Sequence, residues 1–413
     1  MRNLFKIAIR NLIRYQRRTL LTASLITIGV VFVLVFVSIS GSFKSLMIGQ
    51  ITDSMMGHLQ LHRKGYVASI DNLPLNLNMK PETYRKIEEM LASDQDVAAF
   101  SPRLKFGGMF SNFIETTNIR LNGIDPEAEF RTVPLLSARV IEGRPTLGRG
   151  EILVPALLAK GMKLRPGDPV VVVATNADGS VNGMQFIVSG ILESATGPGG
   201  RDGYVHIGDA AEVLRMTEVE VSEIAVRIED FSGLPEVMTR LRQNIRDDGP
   251  QQKGQAALEV HSWEDLSPFF NIARMIDVMT LFIRIMLIAI VLISIMNVMV
   301  MAVYERIREI GTIAAIGTPP GKIRSMFILE GFCMGVFGAA AGVGIGAAVI
   351  ALVNLIGIRF NFGQQKGLLL KAVLDPLDLM VVSAIVVAVA VLASLQPAVK
   401  ASRMEPIDAL RHV

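Results

Sequence analysis

Charged residues are scarce in this sequence. They make up 19% of its 413 residues, whereas apolar residues make up 51%. This balance excludes an ordinary soluble enzyme and is typical of a membrane protein. The single cysteine, Cys333, lies inside an apolar run, so this sequence contains no disulfide and gives no sign of its redox compartment.

Four stretches without any charged residue are long enough for a membrane-spanning helix, which needs about 20 apolar residues. They cover residues 19–43, 285–304, 331–358 and 379–399. The predicted fold is a membrane α-helical protein with four transmembrane helices and a large extracytoplasmic α+β domain inserted between the first and second. The predicted segments are an interfacial helix at 1–18, TM1 at 19–43, the α+β domain at 44–275, TM2 at 276–304, a cytoplasmic helix at 305–324, TM3 at 325–358, an external loop at 359–378, TM4 at 379–399 and a cytoplasmic tail at 400–413.

The segment between the first two spans mixes strand-like and helix-like pieces. Short apolar runs predict strands at 59–61, 119–121, 151–154, 169–174, 185–191, 204–207 and 224–228. Helices are predicted at 81–92, 156–161, 209–216 and 234–247, the first because Pro81 and Glu82 suit a helix start. Turn-forming residues at 176–183 predict the tip of a long hairpin.

Basic residues indicate the orientation in the membrane. Residues 1–18 contain Arg2, Lys6, Arg10, Arg14, Arg17 and Arg18 and no acid. With the basic residues of 305–324 and of the tail, they predict that both termini are cytoplasmic. The 359–378 loop, which also contains basic residues, is a mild contrary signal. Lys6, Arg10 and Arg14 recur every four residues, which suits an interfacial helix on anionic lipid or a plain topology signal.

Several kinds of site are missing. The centres of the spans contain no Asp, Glu, Lys, Arg or His, so no ion-coupling site is predicted. The segment from Gly317 to Lys322 resembles a P-loop, but it is one residue short and Ile323 stands where Ser or Thr would bind magnesium. His58 and His62 alternate as on a strand and have no third ligand nearby, so no metal is predicted.

Residues 305–324 form a short charged segment between two apolar runs. Charge, glycine and the Pro-Pro pair predict an exposed helix, a sharp turn and a second helix start at the membrane surface. Such an element presents itself to something in the aqueous phase. The residues predicted to carry this coupling role are Glu305, Arg306, Arg308, Glu309, Gly311 and Gly317.

Two sets of residues in the spans have more than one interpretation. Gly331, Gly335, Gly338, Gly342 and Gly346 form a small-residue face, which suits either a sliding surface that transmits motion or static packing. Met275, Met279, Phe282 and Met286 share roughly one face at the start of the second span. With Phe32, Phe36 and Phe43 they would line a cavity for a lipidic substrate, or they are plain packing.

The motifs and their order resemble the MacB/FtsX-like ABC transporter permease family, closest in layout to its lipoprotein-releasing LolC/LolE branch. The matching pieces are 8–12, 123–125, 143–144, 151–154, 164–168, 305–311 with Gly317, 330–331, 397–398 with Ala401, and Pro406 with Leu410 and Arg411. The resemblance covers nearly the whole chain. No ATPase domain is attached in this sequence, so the chain resembles a separate permease subunit.

This resemblance implies a bacterial inner-membrane dimer of permeases, homo- or heterodimeric, above two ATPase subunits that bind ATP and Mg. Residues 305–324 would be the coupling helix, and no cofactor or nucleic acid would bind this chain. Lipoprotein release with a periplasmic carrier is the leading function. The alternatives are MacB-like efflux or peptide export with an adaptor, and FtsX-like regulation of an external hydrolase. The hairpin tip at 176–183 lacks the proline with which the family's carrier-binding hairpin captures its partner.

Overall fold

The computed structural model describes residues 2–194, 201–247, 251–252, 255–362 and 365–404. The chain divides into two units: the first consists of Met1–Lys44, Arg274–Arg359 and Leu369–Val413, and the second of Ser45–Ala273 and Phe360–Leu368. Most of the predicted tail, with Pro406, Leu410 and Arg411, lies outside the described residues.

The regular elements follow one another in this order. The α-helices are α1 (Arg2–Arg14), α2 (Gln16–Ile51), α3 (Pro81–Ser93), α4 (Pro126–Thr132), α5 (Leu135–Ala138), α6 (Ala156–Gly161), α7 (Ile207–Val213), α8 (Leu234–Asp247), α9 (Trp263–Leu266), α10 (Phe270–Glu305), α11 (Ile307–Ala315), α12 (Pro320–Ile356) and α13 (Pro376–Ser402). The strands are β1 (Leu59–Arg63), β2 (Val97–Ser111), β3 (Thr116–Ile124), β4 (Val140–Gly143), β5 (Glu151–Pro155), β6 (Pro169–Thr175), β7 (Val181–Leu192), β8 (Gly203–His206), β9 (Glu223–Ile228), β10 (Gln251–Gln252), β11 (Gln255–Ala256), β12 (Leu258–Ser262), β13 (Arg359–Phe362) and β14 (Gln365–Leu369).

Four helices of the described chain are long and apolar enough to cross a membrane, and they are α2, α10, α12 and α13. The first three contain 36, 36 and 37 residues. At 1.5 Å per residue each is about 54 Å long or more, which exceeds the ~30 Å of a bilayer's hydrocarbon core. These three helices therefore extend past the apolar layer. The predicted segment 305–324 becomes α11 and the first turns of α12.

Glycines on α12 allow α13 to approach its backbone closely. A Cβ atom placed on Gly331 would lie 2.6 Å from Cβ of Ser394, and one on Gly335 would lie 2.6 Å from Cβ of Ala390. Real Cβ atoms do not approach so closely, so only glycine fits at these two positions without a shift of α13. The first part of the predicted glycine face is thus a tight contact with the last helix.

The second part of the same face contacts a different helix, α2. Cβ atoms on Gly338 and Gly342 would lie 2.6 Å from Ile26 and Val30, whereas Gly346 is enclosed less tightly, at 3.3 Å from Leu34. The glycine face therefore changes partner halfway along α12. This arrangement is the close backbone packing that small residues permit between membrane helices.

The second unit is built on a mixed sheet of ten strands. The strand order is β12-β1-β9-β2-β3-β8-β5-β7-β4, and β6 pairs with both β2 and β7. Strand β2 is the longest, with 15 residues, and it pairs with β3, β6 and β9. The pairs β3–β8 and β5–β7 are parallel. Since β2 joins both halves of the sheet, it fixes their relative register.

Apolar side chains gather in separate clusters on this sheet. One cluster surrounds β1, β9 and β12 and includes Leu59, Leu241 and Trp263. A second surrounds β2, β3 and β5–β8 and includes Phe106 and Phe186. Each cluster is covered by helices of its own, α3 and α8 for the first and α6 and α7 for the second. The unit is therefore α+β, as its sequence predicts.

Most of the predicted pieces of this unit are confirmed. The seven predicted strands correspond to β1, β3, β5, β6, β7, β8 and β9, and α6 and α8 have the predicted bounds. The hairpin tip is shorter than the predicted 176–183: residues 176–180 connect β6 and β7, which pair from Pro169↔Ile187 to Thr175↔Val181. The remaining strands, β2, β4 and β10–β14, were not predicted. Helix α7 begins two residues earlier than expected, at Ile207, and ends at Val213.

The glycine face gives a direct stability test. Gly342→Ala adds a Cβ atom 2.6 Å from Val30, whereas Gly344→Ala on the same helix adds one with no neighbour within 4 Å. We expect Gly342→Ala to destabilise the protein by about 1–3 kcal/mol through overpacking. Gly344→Ala should instead be neutral or stabilise by about 0.5–1 kcal/mol, because alanine favours a helix. Equilibrium unfolding in mixed micelles measures both, and equal stability of the two variants would contradict the tight contact.

Candidate coupling site

The predicted coupling segment is a helix and a turn between two long helices. Helix α10 ends at Glu305, and Arg306 leaves the helical conformation with φ −112° and ψ 18°. Helix α11 then runs to Ala315, and Gly317 reverses the chain with φ +92°. Pro320 begins α12, where its missing N–H is not needed. The predicted helix, turn and second start are thus all present.

One face of α11 packs into the first unit and the other is exposed. Ile310 is buried in the same cluster as Ile323 and Phe327 of α12. On the opposite side, Arg308 and Thr312 are exposed, and Ile316 at the turn is 80% exposed. A large apolar side chain at the tip of a charged element is suited to a contact with another protein.

A buried ion pair ties the start of α11 to α12. The Nη1 atom of Arg306 lies 2.9 Å from Oε1 of Glu330, and the two side chains are 4% and 0% exposed. The Nε atom of Arg306 also donates to Oε2 of Glu309 at 3.3 Å. Charges out of contact with water persist only when they are paired and hydrogen-bonded. The pair therefore holds the break between α10 and α11 against one point on α12.

The first helix joins the same network. The Nδ2 atom of Asn11 donates to Oε1 of Glu330 at 2.7 Å, and Arg14 lies 3.5 Å from Glu309. The ring of Tyr15 lies between two guanidinium groups, 5.4 Å from that of Arg306 and 5.9 Å from that of Arg14. Helix α1, the start of α11 and α12 are thus connected through one cluster of polar side chains, which we call the clamp.

Part of α1 packs on α12. Ala8 and Leu12 are buried, and Leu12 packs with Cys333 and Met334 of α12. Phe5 and Ile13 are exposed. Helix α1 is therefore attached to α12 by Asn11, which donates to Glu330, and by Leu12, which packs on Cys333.

The predicted coupling residues divide into two groups. Gly311 and Arg306 are buried, so they support the element from inside. Glu305, Arg308 and Gly317 are exposed, and Glu309 is half-buried. Sequence reasoning missed the clamp residues Asn11 and Tyr15, the buried role of Glu330 and the exposed Ile316. A lone carboxylate at the edge of an apolar run was the available signal for Glu330, because such a group needs a partner.

The predicted substrate residues lie on the surfaces of α2 and α10. Phe32, Met275, Met279, Phe282 and Met286 are exposed. Phe36 and Phe43 are half-buried, and the rings of Phe32 and Phe36 stack with their centroids 6.5 Å apart. A short ion pair between Lys44 and Asp277, with Nζ 2.7 Å from Oδ2, connects the two helices beside this set. On a single chain these apolar side chains are open to lipid, substrate or a second chain.

The part of the chain that the structure describes contains no group of three or more His, Cys, Asp or Glu side chains placed to hold a metal ion. His58 directly precedes β1 and His62 lies within it, in agreement with the alternation that predicts a strand. Both side chains are buried. His58 accepts a hydrogen bond at Nδ1 from the backbone N–H of Ile228, at 3.2 Å.

Removal of one partner of the clamp tests its importance. Glu330→Ala leaves the Arg306 guanidinium buried without its carboxylate, and we expect this to destabilise the protein by about 3–5 kcal/mol. Glu309→Ala is the matched control, because Glu309 is partly exposed and its removal should cost below about 1 kcal/mol. In equilibrium unfolding, the double variant Arg306→Ala/Glu330→Ala should be more stable than the sum of the single effects implies. An additive double variant would show that the two residues do not interact.

Comparisons with known proteins agree with this architecture. The family profile of the MacB-like periplasmic core domain matches residues 19–244, more than half of the chain, and that of the FtsX-like permease C-terminal matches residues 281–406. The lipoprotein-releasing system transmembrane protein LolC of Neisseria meningitidis is 22% identical over 412 residues, which cover 95% of this chain and 94% of the relative. The ABC transporter permease YknZ of Bacillus subtilis is 23% identical and covers 98% of both chains.

A solved structure, the extracellular domain of the ABC-type transporter YknZ from Gram-positive bacteria, matches with 16% identity and a TM-score of 0.35, over 49% of this chain and 99% of that one. The matched profiles extend over both the helical and the α+β parts of the sequence. The chain therefore belongs to the MacB/FtsX-like family of ABC transporter permeases.

Proposed function

We propose that this chain is the membrane subunit of a transporter in which a separate ATPase subunit docks on α11 and drives the release of a lipidated protein from the bacterial inner membrane. The observation that most supports docking is that α11 has a buried base and an exposed outer face. Its outer face presents Ile316 and Arg308, while the buried Arg306–Glu330 pair fixes its base to α12. A force applied to the exposed turn would therefore reach α12 and α1 through the clamp instead of bending a loose loop.

Two features support a lipidic substrate. The open apolar surface of α2 and α10 contains phenylalanine and methionine side chains, which adapt to acyl chains without reading a sequence. Each buried methylene contributes about 0.8 kcal/mol, so a long acyl chain can bind by area alone. The relative from Neisseria meningitidis is itself named for lipoprotein release. In this proposal the second permease protomer closes the surface into a cavity, and a periplasmic carrier receives the substrate.

The proposed orientation follows from the basic flanks. Both termini and α11 lie in the cytoplasm, where the ATPase supplies ATP and Mg, and the second unit lies outside. MacB-like export with an adaptor is the second candidate. It is favoured by the β6–β7 turn, which contains Asp178, Gly179 and Ser180 and no proline, unlike the family's carrier-binding hairpin. A third candidate is FtsX-like control of an external hydrolase, in which α2 and α10 would move no substrate.

The docking step is tested by a charge at the exposed turn. Ile316→Asp should weaken binding of the ATPase subunit by about tenfold or more, because an apolar contact residue becomes a charged one. Ile114→Asp is the matched control, since Ile114 is 88% exposed at the β2–β3 turn of the other unit. Copurification of the ATPase from membranes and its ATP hydrolysis rate are the measurements. Normal copurification by Ile316→Asp would overturn the assignment of α11.

The substrate surface is tested by photo-crosslinking. A photoreactive residue at Met279, which is 49% exposed, should form adducts with a lipidated protein, whereas one at Met380 on α13, which is 70% exposed, should not. Adducts are identified by mass spectrometry of the purified complex. If adducts form only when the photoreactive residue is placed in the second unit, for example at Ile114, the export or regulatory candidates replace lipoprotein release.

A further inference from the structure

A cavity of ≈ 390 Å³ lies within the second unit, apart from the coupling and substrate residues. One wall comes from the sheet, mainly from β2, β3 and β8. The other comes from three helical segments, which are the π-helical turn Thr52–Met56, the 3₁₀ helix Val67–Asn72 and the end of α9. Its size is within the range of small-molecule sites in proteins.

Two cations of the cavity wall, Arg103 and Lys105, are paired with carboxylates. Nη2 of Arg103 lies 2.6 Å from Oε1 of Glu129, and its Nη1 lies 2.9 Å from Oε1 of Glu223. Nζ of Lys105 lies 2.9 Å from Oε2 of Glu223. Burial alone would raise the pKa of Glu223, but Lys105, His62 and Arg103 together hold it well below its usual value. Two cations therefore balance two carboxylates, and neither cation is available to attract an anion.

The acceptors of the cavity wall are less well satisfied. Asp202 is buried, and its Oδ2 accepts only a 3.3 Å hydrogen bond from Nδ2 of Asn122 among the bonds that the structure describes. Its Oδ1 lies 3.7 Å from Nε of Arg120, which is longer than a hydrogen bond. Oδ1 of Asn122, a residue 3% exposed, has no hydrogen-bond partner among the described residues. Buried polar atoms normally have partners, so Oδ1 of Asn122, next to the weakly paired carboxylate of Asp202, calls for a donor.

The other charged side chains that line the cavity are mostly negative. Apart from the neutralised pairs, the lining contains one cation, Arg120, and three carboxylates, those of Asp71, Asp202 and Asp265. Oδ2 of Asp265 accepts a hydrogen bond from the backbone N–H of Ser262 at 3.0 Å, and Arg242 lies 3.9 Å away with both side chains exposed, a contact that solvent screens. The cavity therefore has an excess of negative charge and of hydrogen-bond acceptors.

We propose that this cavity binds a small organic cation, a protonated primary amine with a short aliphatic body. An ammonium group has three N–H donors and no acceptor, which suits Asp202 and Oδ1 of Asn122. The ring of Tyr204, also in the lining, adds a face that attracts cations. The aliphatic body would pack on the helical wall, whose apolar residues are Met55, Met56, Val67, Ile70 and Leu266.

The test uses the full-length protein in maltoside micelles, titrated calorimetrically with pentylammonium. Pentanoate and pentanol are probes of equal length with a negative or no charge. Pentylammonium alone should bind, and Asp202→Asn should weaken its binding about tenfold or more, the loss expected for a hydrogen bond to a charged group. Glu218→Gln is the control variant, because Glu218 is exposed and does not line the cavity.

Asp71→Asn provides a second variant at an exposed position if Asp202→Asn does not fold. Equal binding of pentanoate or pentanol, or unchanged affinity in both aspartate variants, would overturn the proposal. Addition of an ethanolamine phospholipid or a choline phospholipid then separates the sources of the amine. Competition by the ethanolamine lipid alone identifies a lipid headgroup as the natural ligand, and absence of competition identifies a free amine.

Discussion

The buried pair of Arg306 and Glu330 is the interaction on which the arrangement of the first unit depends. Both side chains are buried among apolar helices, where an unpaired charge costs several kcal/mol. Their 2.9 Å contact places the end of α10 beside α12. Asn11 donates a hydrogen bond to the same carboxylate, so α1 also contacts α12 at this point. The exposed position of Ile316 follows, since the buried base of α11 turns its opposite side outward.

Close backbone packing at glycines holds other helices of the first unit together. The glycines of α12 admit α13 at one end and α2 at the other, so three helices meet along one face. The clamp and the glycine face lie on the same helix, with Glu330 directly before Gly331. A displacement of α11 would therefore be passed to α12 by an ion pair and onward by close packing. In the proposed function this is the route from ATP hydrolysis to the substrate surface.

Much of this fold could be predicted because its signals are local. The absence of charge over about 20 residues identifies a spanning helix, and alternation or turn residues identified strands such as β6 and β7. Strand β2 was missed because Pro102, Gly107 and Gly108 interrupt its pattern. Hydrogen bonds to β3, β6 and β9 hold β2 extended, and these neighbours cannot be read from the sequence of β2 alone.

The candidate site was predicted in part for the same reason. Charge and Pro-Pro located α11, but they could not show that Arg306 is turned inward, because its partner Glu330 is 24 positions away. Asn11 is still more distant in sequence. Likewise, the two acceptors of the proposed amine site, Asn122 on β3 and Asp202 directly before β8, are 80 positions apart in the sequence. Contacts of this kind depend on tertiary packing, which a single sequence does not display.

The proposed function requires α11 to face the cytoplasm and the β6–β7 turn to face the other side of the membrane. It is tested by cysteines at Asp178, in the exposed β6–β7 turn, and at Gly321, exposed at the start of α12, each labelled in intact cells with a permeabilised outer membrane. Asp178 is preferred to its neighbour Gly179, whose φ of +85° disfavours a side chain, and the native Cys333 is buried. A membrane-impermeant thiol reagent should label the Asp178→Cys variant and leave Gly321→Cys unlabelled until the inner membrane is opened. Labelling of Gly321→Cys alone would contradict the orientation and with it the docking of an ATPase on α11.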